Sequence, residues 1–145
     1  MTLLLDARVH RDLLRHADAA GARECCGLLV GAASAEERRV VLAVPAQNQA
    51  ARPESEFLLD PVPLLQALRA ERGGGPAVLG VYHSHPAGPS APSRTDEREM
   101  WLRWSYVIVA PARDGALAAR SFRREEEGAP IVEEPVIVVT AEARA

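Results

Sequence analysis

His83-Ser84-His85-Pro86 is followed, after six residues, by Ser93 and then, after two more, by Asp96. Two imidazoles, a hydroxyl and a carboxylate at these intervals are the material of a catalytic zinc site, which takes three protein ligands and leaves one position for water. His83, His85 and Asp96 supply that count. Composition alone would produce the five-residue pattern with a chance of about one in ten million per start, or on the order of one in a hundred thousand over the chain. The spacing therefore calls for a chemical reason.

The elements around the motif show how it could close. Ala77 to Tyr82 is an apolar strand leading into His83, and residues two apart on a strand share a face. His83 and His85 can then converge on one ion while Ser84 points away. Pro86 stops the strand, and the loop Ala87 to Pro92, with two prolines and a glycine, is stiff enough to bring Ser93 and Asp96 back over the histidines. Ser93-Arg94-Thr95-Asp96 also has the form of a helix capping box, a role compatible with Asp96 being a ligand. His10 and His16, six apart on a helix, project about 240° apart and cannot share an ion; they read as surface residues.

The rest of the chain alternates strands and helices. Leu3 to Leu5 read as a strand, Asp6 as an N-cap, and Val9, Leu13, Leu14 and Ala17 as one face of a helix over residues 7–20 that Gly21 ends. Cys26 to Val30 and Arg39 to Val44 form a hairpin, the second strand ending at Pro45. Phe57-Leu58-Leu59 suggests a short strand. Asp60-Pro61 opens a second helix with Leu64, Leu65 and Leu68 on one face, closed by Gly73-Gly74-Gly75-Pro76. Asp96 to Trp104 reads as a third helix with Met100, Trp101 and Trp104 inward. Tyr106 to Ala110 and Leu117 to Phe122 flank an Arg113-Asp114-Gly115 turn. Ile131 to Thr140 is β-branched but interrupted by Pro135, which confines it to a sheet edge or excludes it from the sheet. The pattern predicts an α/β (α+β) sandwich on one central mixed β-sheet flanked by helices.

Composition narrows the setting. The chain has 145 residues, 48% of them hydrophobic, enough for one domain with a sizeable core. A net charge of -3 without a dense Lys/Arg stripe argues against nucleic acid. No apolar run approaches membrane-spanning length, and the N-terminus meets charge too early for a signal peptide, so a cytoplasmic protein is expected. The only cysteines, Cys25 and Cys26, are adjacent, where a disulfide would be strained. A reducing compartment fits that usage.

A hydrolytic zinc site also needs a base beside the water whose pKa the metal lowers to about 7. Several acids qualify, and spacing selects none of them. Glu24 immediately precedes an apolar, glycine-bounded strand, at the end of a sheet where clefts form, although an ordinary turn acid would look the same.

Glu24-Cys25-Cys26-Gly27-Leu28-Leu29-Val30-Gly31, His83-Ser84-His85-Pro86 and Ser93-x-x-Asp96 together resemble the JAMM (MPN-plus) zinc metalloprotease family, in particular its short prokaryotic branch. The segments Val44 to Asn48 and Phe57 to Pro61 look like that branch too. The likeness spans roughly residues 3–122. It implies a cytidine-deaminase-like JAMM/MPN fold in residues 1–124; residues 125–145 fall outside the likeness and read as a C-terminal extension, with an edge strand of the same domain as the alternative. His83, His85 and Asp96 then match the ligands of one catalytic zinc ion, Glu24 the acid that accepts and returns a proton, and Ser93 the hydroxyl that stabilises an oxyanion. The implied reaction is hydrolysis of a peptide or isopeptide bond after the Gly-Gly of a ubiquitin-like or sulfur-carrier protein. A sulfur carrier is the expected partner, because the long insertions of eukaryotic relatives are missing.

Two other classes compete. An inactive scaffold of the same fold would lack a motif residue, and none is missing. A deaminase-type zinc hydrolase would carry His-x-Glu and Pro-Cys-x-x-Cys, which do not occur; His-Glu-x-x-His is also absent. Cys26 reads as a buried small residue and Cys25 is open. Trp101 and Trp104, three apart, read as core.

Overall fold

Strand β1 (Thr2–Asp6) runs directly into helix α1 (Ala7–Ala20), whose Val9, Leu13 and Ala17 recur at helical spacing and are buried. Gly21 ends the helix at φ 61°, a conformation that favours glycine. The computed structural model describes residues 1–140; residues 141–145, the end of the C-terminal extension, lie outside the described residues. The chain continues through β2 (Cys26–Ala33), β3 (Glu37–Ala46), α2 (Pro61–Arg72), β4 (Ala77–Ser84), α3 (Arg94–Glu99), β5 (Ser105–Pro111), β6 (Leu117–Arg123), β7 (Val132–Glu134) and β8 (Val136–Val139).

All the strands join one mixed sheet in the order β7-β6-β5-β4-β2-β3-β1-β8. The pairs β1/β3, β1/β8 and β4/β5 are parallel and the others antiparallel. Alternate residues of the central strands feed two cores. Leu29, Tyr82, Val107 and Val109 pack with Val9 and Leu13 of α1, whereas Leu28, Val81, Ile108 and Ala110 pack towards Leu64 and Ala67 of α2. The result is the mixed sheet with flanking helices that the sequence predicts. Close approach within it requires glycine: a Cβ on Gly27 would lie 2.4 Å from the Tyr82 ring, and one on Gly80 would lie 1.9 Å from the Ser105 carbonyl. No described helix is long and apolar enough to cross a membrane.

Several elements differ from the sequence reading. β3 runs through Pro45, which is tolerable because β1 pairs only with Glu37 to Val40 and leaves the later part of β3 free on that side. Phe57 to Leu59 contributes one isolated bridge, Leu59 to Asn48, and no strand. Helix α3 stops at Glu99. The Tyr106 hydroxyl there accepts from the Trp101 N–H at 2.9 Å and donates to the Glu99 carbonyl at 3.3 Å, replacing helical partners. Met100 is buried and Trp104, half-buried, packs against the α2-side core, but Trp101 is half exposed and is not a core residue. Leu65 is likewise exposed while Leu64 and Leu68 are half-buried. His10 is half-buried, whereas His16 departs from the surface reading: its Nδ1 lies 2.7 Å from the Tyr82 hydroxyl because α1 packs over β4.

Pro135 lies between two edge strands, in keeping with the sheet-edge expectation, and links opposite ends of the sheet. It separates β7, which pairs with β6 at one end of the sheet, from β8, which pairs with β1 at the other, and its carbonyl accepts from the Leu3 N–H at 2.9 Å. One segment thus joins both ends of the sheet and curls it towards closure. Glu134 anchors that segment inside. Both its oxygens lie 3.0 Å from Arg38 Nη2, the Ser121 hydroxyl donates to it at 2.7 Å, and the Ser105 hydroxyl joins the network, all of them buried. Removing one member of a buried ion pair strands the other and costs about 3–5 kcal/mol. Glu134→Gln should lower the urea-unfolding free energy by that order; a loss under about 1 kcal/mol, the range of an exposed pair, would show the network to be neutral.

Candidate metal centre

Antiparallel pairing sets Cys26 of β2 opposite His83 of β4, which places Glu24 beside the end of β4. Two hydrogen bonds fasten the junction: the Cys25 N–H donates to Ser84 Oγ at 2.8 Å and the Ser84 N–H donates to the Cys25 carbonyl at 3.1 Å. Ser84 therefore points away from the histidines, and its hydroxyl secures the residue next to Glu24.

Past Ser84 the chain turns back on itself. The His85 N–H donates to the Val109 carbonyl and the Gly88 N–H to the His85 carbonyl, both at 2.9 Å, and His85 Nδ1 lies 2.8 Å from the Pro89 carbonyl. A carbonyl can only accept, so Nδ1 carries a proton, and whenever the ring is neutral its lone pair lies at Nε2, on the side of the site. His83 is fully buried. The Phe57 ring stacks on it at 4.3 Å between centroids, and its Nδ1 has no hydrogen-bond partner among the described residues.

The donor atoms converge. His83 Nε2 and His85 Nε2 are 3.1 Å apart, and Asp96 Oδ2 lies 3.2 Å from each. A tetrahedral ion with ligand bonds of about 2.0–2.1 Å has ligand–ligand edges of about 3.3–3.4 Å. Two imidazole nitrogens and one carboxylate oxygen on a triangle of nearly that size fit a zinc ion. Ser93 and Asp96 also form the capping box of α3: Ser93 Oγ accepts from the Asp96 N–H at 3.0 Å and Asp96 Oδ2 from the Ser93 N–H at 2.8 Å. The cap aims the carboxylate, so the two readings of these residues hold together. With its oxygen accepting from Asp96, the exposed Ser93 hydroxyl keeps its proton free to donate.

Glu24 brings a carboxylate oxygen within 4.8 Å of the histidine nitrogens and is itself buried. Its backbone is fixed from both sides: its N–H donates to the Pro53 carbonyl at 2.6 Å and its carbonyl accepts from Asn48 Nδ2 at 2.9 Å. Asn48 also donates to the Glu56 carbonyl and accepts from the Ala50 and Leu58 N–H groups at 2.9–3.0 Å. It thereby ties the loop after β3 to Glu24. Nothing in the local sequence gives Asn48 this role beyond its being an Asn in a polar loop. Nothing local marks Arg120 either, whose Nη1 donates to the Ser90 carbonyl and hydroxyl.

The two carboxylates sit in opposite electrostatic environments. Burial pushes the Glu24 carboxyl up to about 7; His85 opposes this, while Asp96 and Glu56 add to it. At Asp96 burial acts in the same sense, but hydrogen bonds from His83, His85 and the Ser93 backbone outweigh it and hold the group well below the usual carboxylate range. Burial disfavours charge on both imidazoles. It prevails at His83, whose pKa falls, whereas Asp96, the Pro89 carbonyl and Glu24 raise that of His85. Burial also raises both thiols, Cys26 to about 12, and Cys26 Sγ lies 3.7 Å from the Ala46 and Gln47 carbonyls. Neither cysteine has the lowered pKa of a reactive thiol.

A groove of about 440 Å³ opens beside the centre, lined by Phe57, Leu58, Leu64, Trp101 and Trp104 and reaching Asp96.

The family model for prokaryotic homologs of the JAB domain matches residues 6–125. The chain is 37% identical over 131 residues to a desampylase of Haloferax volcanii, covering 87% of this chain and 90% of that protein. It is 40% identical over 106 residues to a probable TtuB-protein conjugate cleaving protease of Thermus thermophilus, covering 73% of this chain and 64% of that one. The solution structure of a protein from Desulfitobacterium hafniense matches with a TM-score of 0.81 at 32% identity, covering 95% of this chain and 93% of that one.

The raised Glu24 pKa has a thermodynamic consequence. Between its unfolded value of 4.5 and about 7 the folded, metal-free chain holds the extra proton, so this group lowers stability progressively as pH rises through that window. With a chelator present, Glu24→Gln should melt above the parent at pH 8 and together with it at pH 4. Melting curves that stay parallel across this range would contradict the assignment.

Proposed function

The chain belongs to the family of prokaryotic homologs of the JAB domain, and from that premise we propose that it is a zinc-dependent hydrolase cutting the peptide or isopeptide bond after the C-terminal Gly-Gly of a ubiquitin-like or sulfur-carrier protein. The observation that carries this reading is the triangle of His83 Nε2, His85 Nε2 and Asp96 Oδ2, with the Glu24 carboxylate beside it. The names of the two curated relatives, a desampylase and a probable TtuB-protein conjugate cleaving protease, support protein conjugates as the substrate class. The inactive-scaffold alternative has no observation in its favour, since none of the five groups is missing.

His83, His85 and Asp96 would hold the zinc ion. Bound there, zinc supplies a Lewis acid that polarises the scissile carbonyl and makes water acidic enough to ionise near neutral pH. Glu24 takes the proton of the attacking water and delivers it to the leaving amine. The burial that raises its pKa in the metal-free chain counters the pull of a nearby cation, and a group kept near the working pH is effective as base and as acid. The Ser93 hydroxyl donates to the oxyanion that develops on the carbonyl, from a position preset by the capping box.

The groove supports a polypeptide substrate. Diglycine has no side chains and can thread a narrow site, and apolar residues flanking it would cover Leu58 and Trp101, both of which are exposed.

Zinc-loaded protein incubated with diglycine-ended carriers extended at the C-terminus should release the extension, seen by mass as cleavage after the second glycine. No cleavage of any carrier would sink the substrate assignment. Glu24→Gln should lose turnover by at least about a hundredfold, the scale of general acid–base catalysis, while retaining close to one zinc per chain. Loss of the metal in that variant would place Glu24 among the ligands instead. His85→Ala should lose both metal and activity, and parent activity that survives a chelator would defeat the metal reading.

A further inference from the structure

A metal-ligating imidazole is placed by the group that holds its other nitrogen, and for His85 that group is the Pro89 carbonyl on the loop between β4 and α3. The next residue, Ser90, is gripped from outside the loop. Arg120 Nη1 donates to its carbonyl at 3.0 Å and to its hydroxyl at 2.9 Å. Arg120 in turn is fixed by Glu133 of β7, to which Nε and Nη2 donate at 2.8 and 2.6 Å, and its guanidinium lies 5.2 Å over the Phe122 ring. A chain of contacts thus runs from the C-terminal extension through Glu133, Arg120 and the Ser90 peptide to the carbonyl that orients His85.

We propose that Arg120, braced by Glu133, is a positioning residue for the metal centre, so that the extension after β6 takes part in setting the ligand geometry. The inference rests on the metal reading above. The fork geometry of arginine is what the role requires: one edge of the guanidinium meets Glu133 while the remaining nitrogen reaches Ser90, and a lysine ammonium cannot serve both. The side chains of Arg120 and Glu133 are 41% and 47% exposed, and an ion pair so wetted adds little to folding. Loss of Arg120 should therefore register at the site and not in the stability of the fold.

Chelator competition on the full chain separates the possibilities, read together with the visible spectrum of the cobalt-loaded protein and the melting temperature of the metal-free protein. Arg120→Ala should bind zinc about tenfold more weakly, the lower end of what losing an outer-shell partner costs. Its cobalt bands should move because His85 is reoriented, while metal-free melting stays close to the parent. Arg120→Lys should not restore affinity, and Glu133→Gln should lose a smaller part because the Ser90 contacts persist. Where Arg120→Ala does not fold, Arg120→Gln carries the same comparison. Parental affinity and spectrum in the Arg120 variant would overturn the proposal, as would a lower metal-free melting temperature with affinity unchanged. A parent chain that binds neither zinc nor cobalt would instead bring down the metal reading and this inference with it.

Discussion

Everything at the candidate centre is built on the pairing of β2 with β4. Cys25 and Ser84 are 59 residues apart in the chain, and each donates a backbone N–H to the other, one to a hydroxyl and one to a carbonyl. This junction does two things at once. It ends the β4 ladder where His83 and His85 face the α2 side, and it holds Glu24 at the mouth of the same cleft. A one-residue slip of β4 against β2 would turn the histidines into the opposite core and bring Ser84 to face Glu24. Tyr82 against Gly27 opposes such a slip, since the ring occupies the space where any side chain at that position would stand.

Once the register is fixed, environment separates the two carboxylates. Asp96 and Glu24 are both buried acids within one small site, yet one is surrounded by hydrogen-bond donors and the other is dominated by lost solvation. Opposed environments of this kind suit paired acids to different work, which is the division proposed above: Asp96, held ionised, as a ligand and Glu24, with its raised pKa, as the proton carrier. Ser93 joins the two arrangements, because its backbone N–H charges Asp96 while its hydroxyl proton stays available.

What could be read from the sequence was what depends on local periodicity. The alternation of His83 and His85, the capping box at Ser93, the N-cap at Asp60 and the hairpin around Asp114 each involve residues a few positions apart, and the structure reproduces them. Distant partners are not legible in this way. Asn48 meets Glu24 only through tertiary folding, as Arg120 meets Ser90, and neither residue type nor spacing announces it. The helical spacing of Met100, Trp101 and Trp104 predicts a longer α3, whereas the Tyr106 hydroxyl satisfies the backbone that would have continued the helix. The same spacing places Trp101 in the core with Trp104, because apolar spacing cannot distinguish a buried face from a groove wall. Glu24 took its catalytic assignment from family likeness; its burial and its pKa are tertiary properties.

The Pro135 segment shows why so polar a strand should complete the sheet. Glu133 and Glu134 are adjacent and face opposite ways, Glu133 outward to Arg120 and Glu134 inward to Arg38. A one-residue slip of β7 in one direction would put Val132 in the place of Glu133 beside Arg120, and a slip in the other would put Pro135 in the place of Glu134 beside Arg38. Either strips one arginine of its carboxylate, and only the native register satisfies both. Apolar residues in this strand would bury surface just as well but would not penalise a slip, because one valine replaces another at little cost. The charges therefore buttress register more than they add stability, and the same register that closes the sheet brings Arg120 to the loop that carries His85.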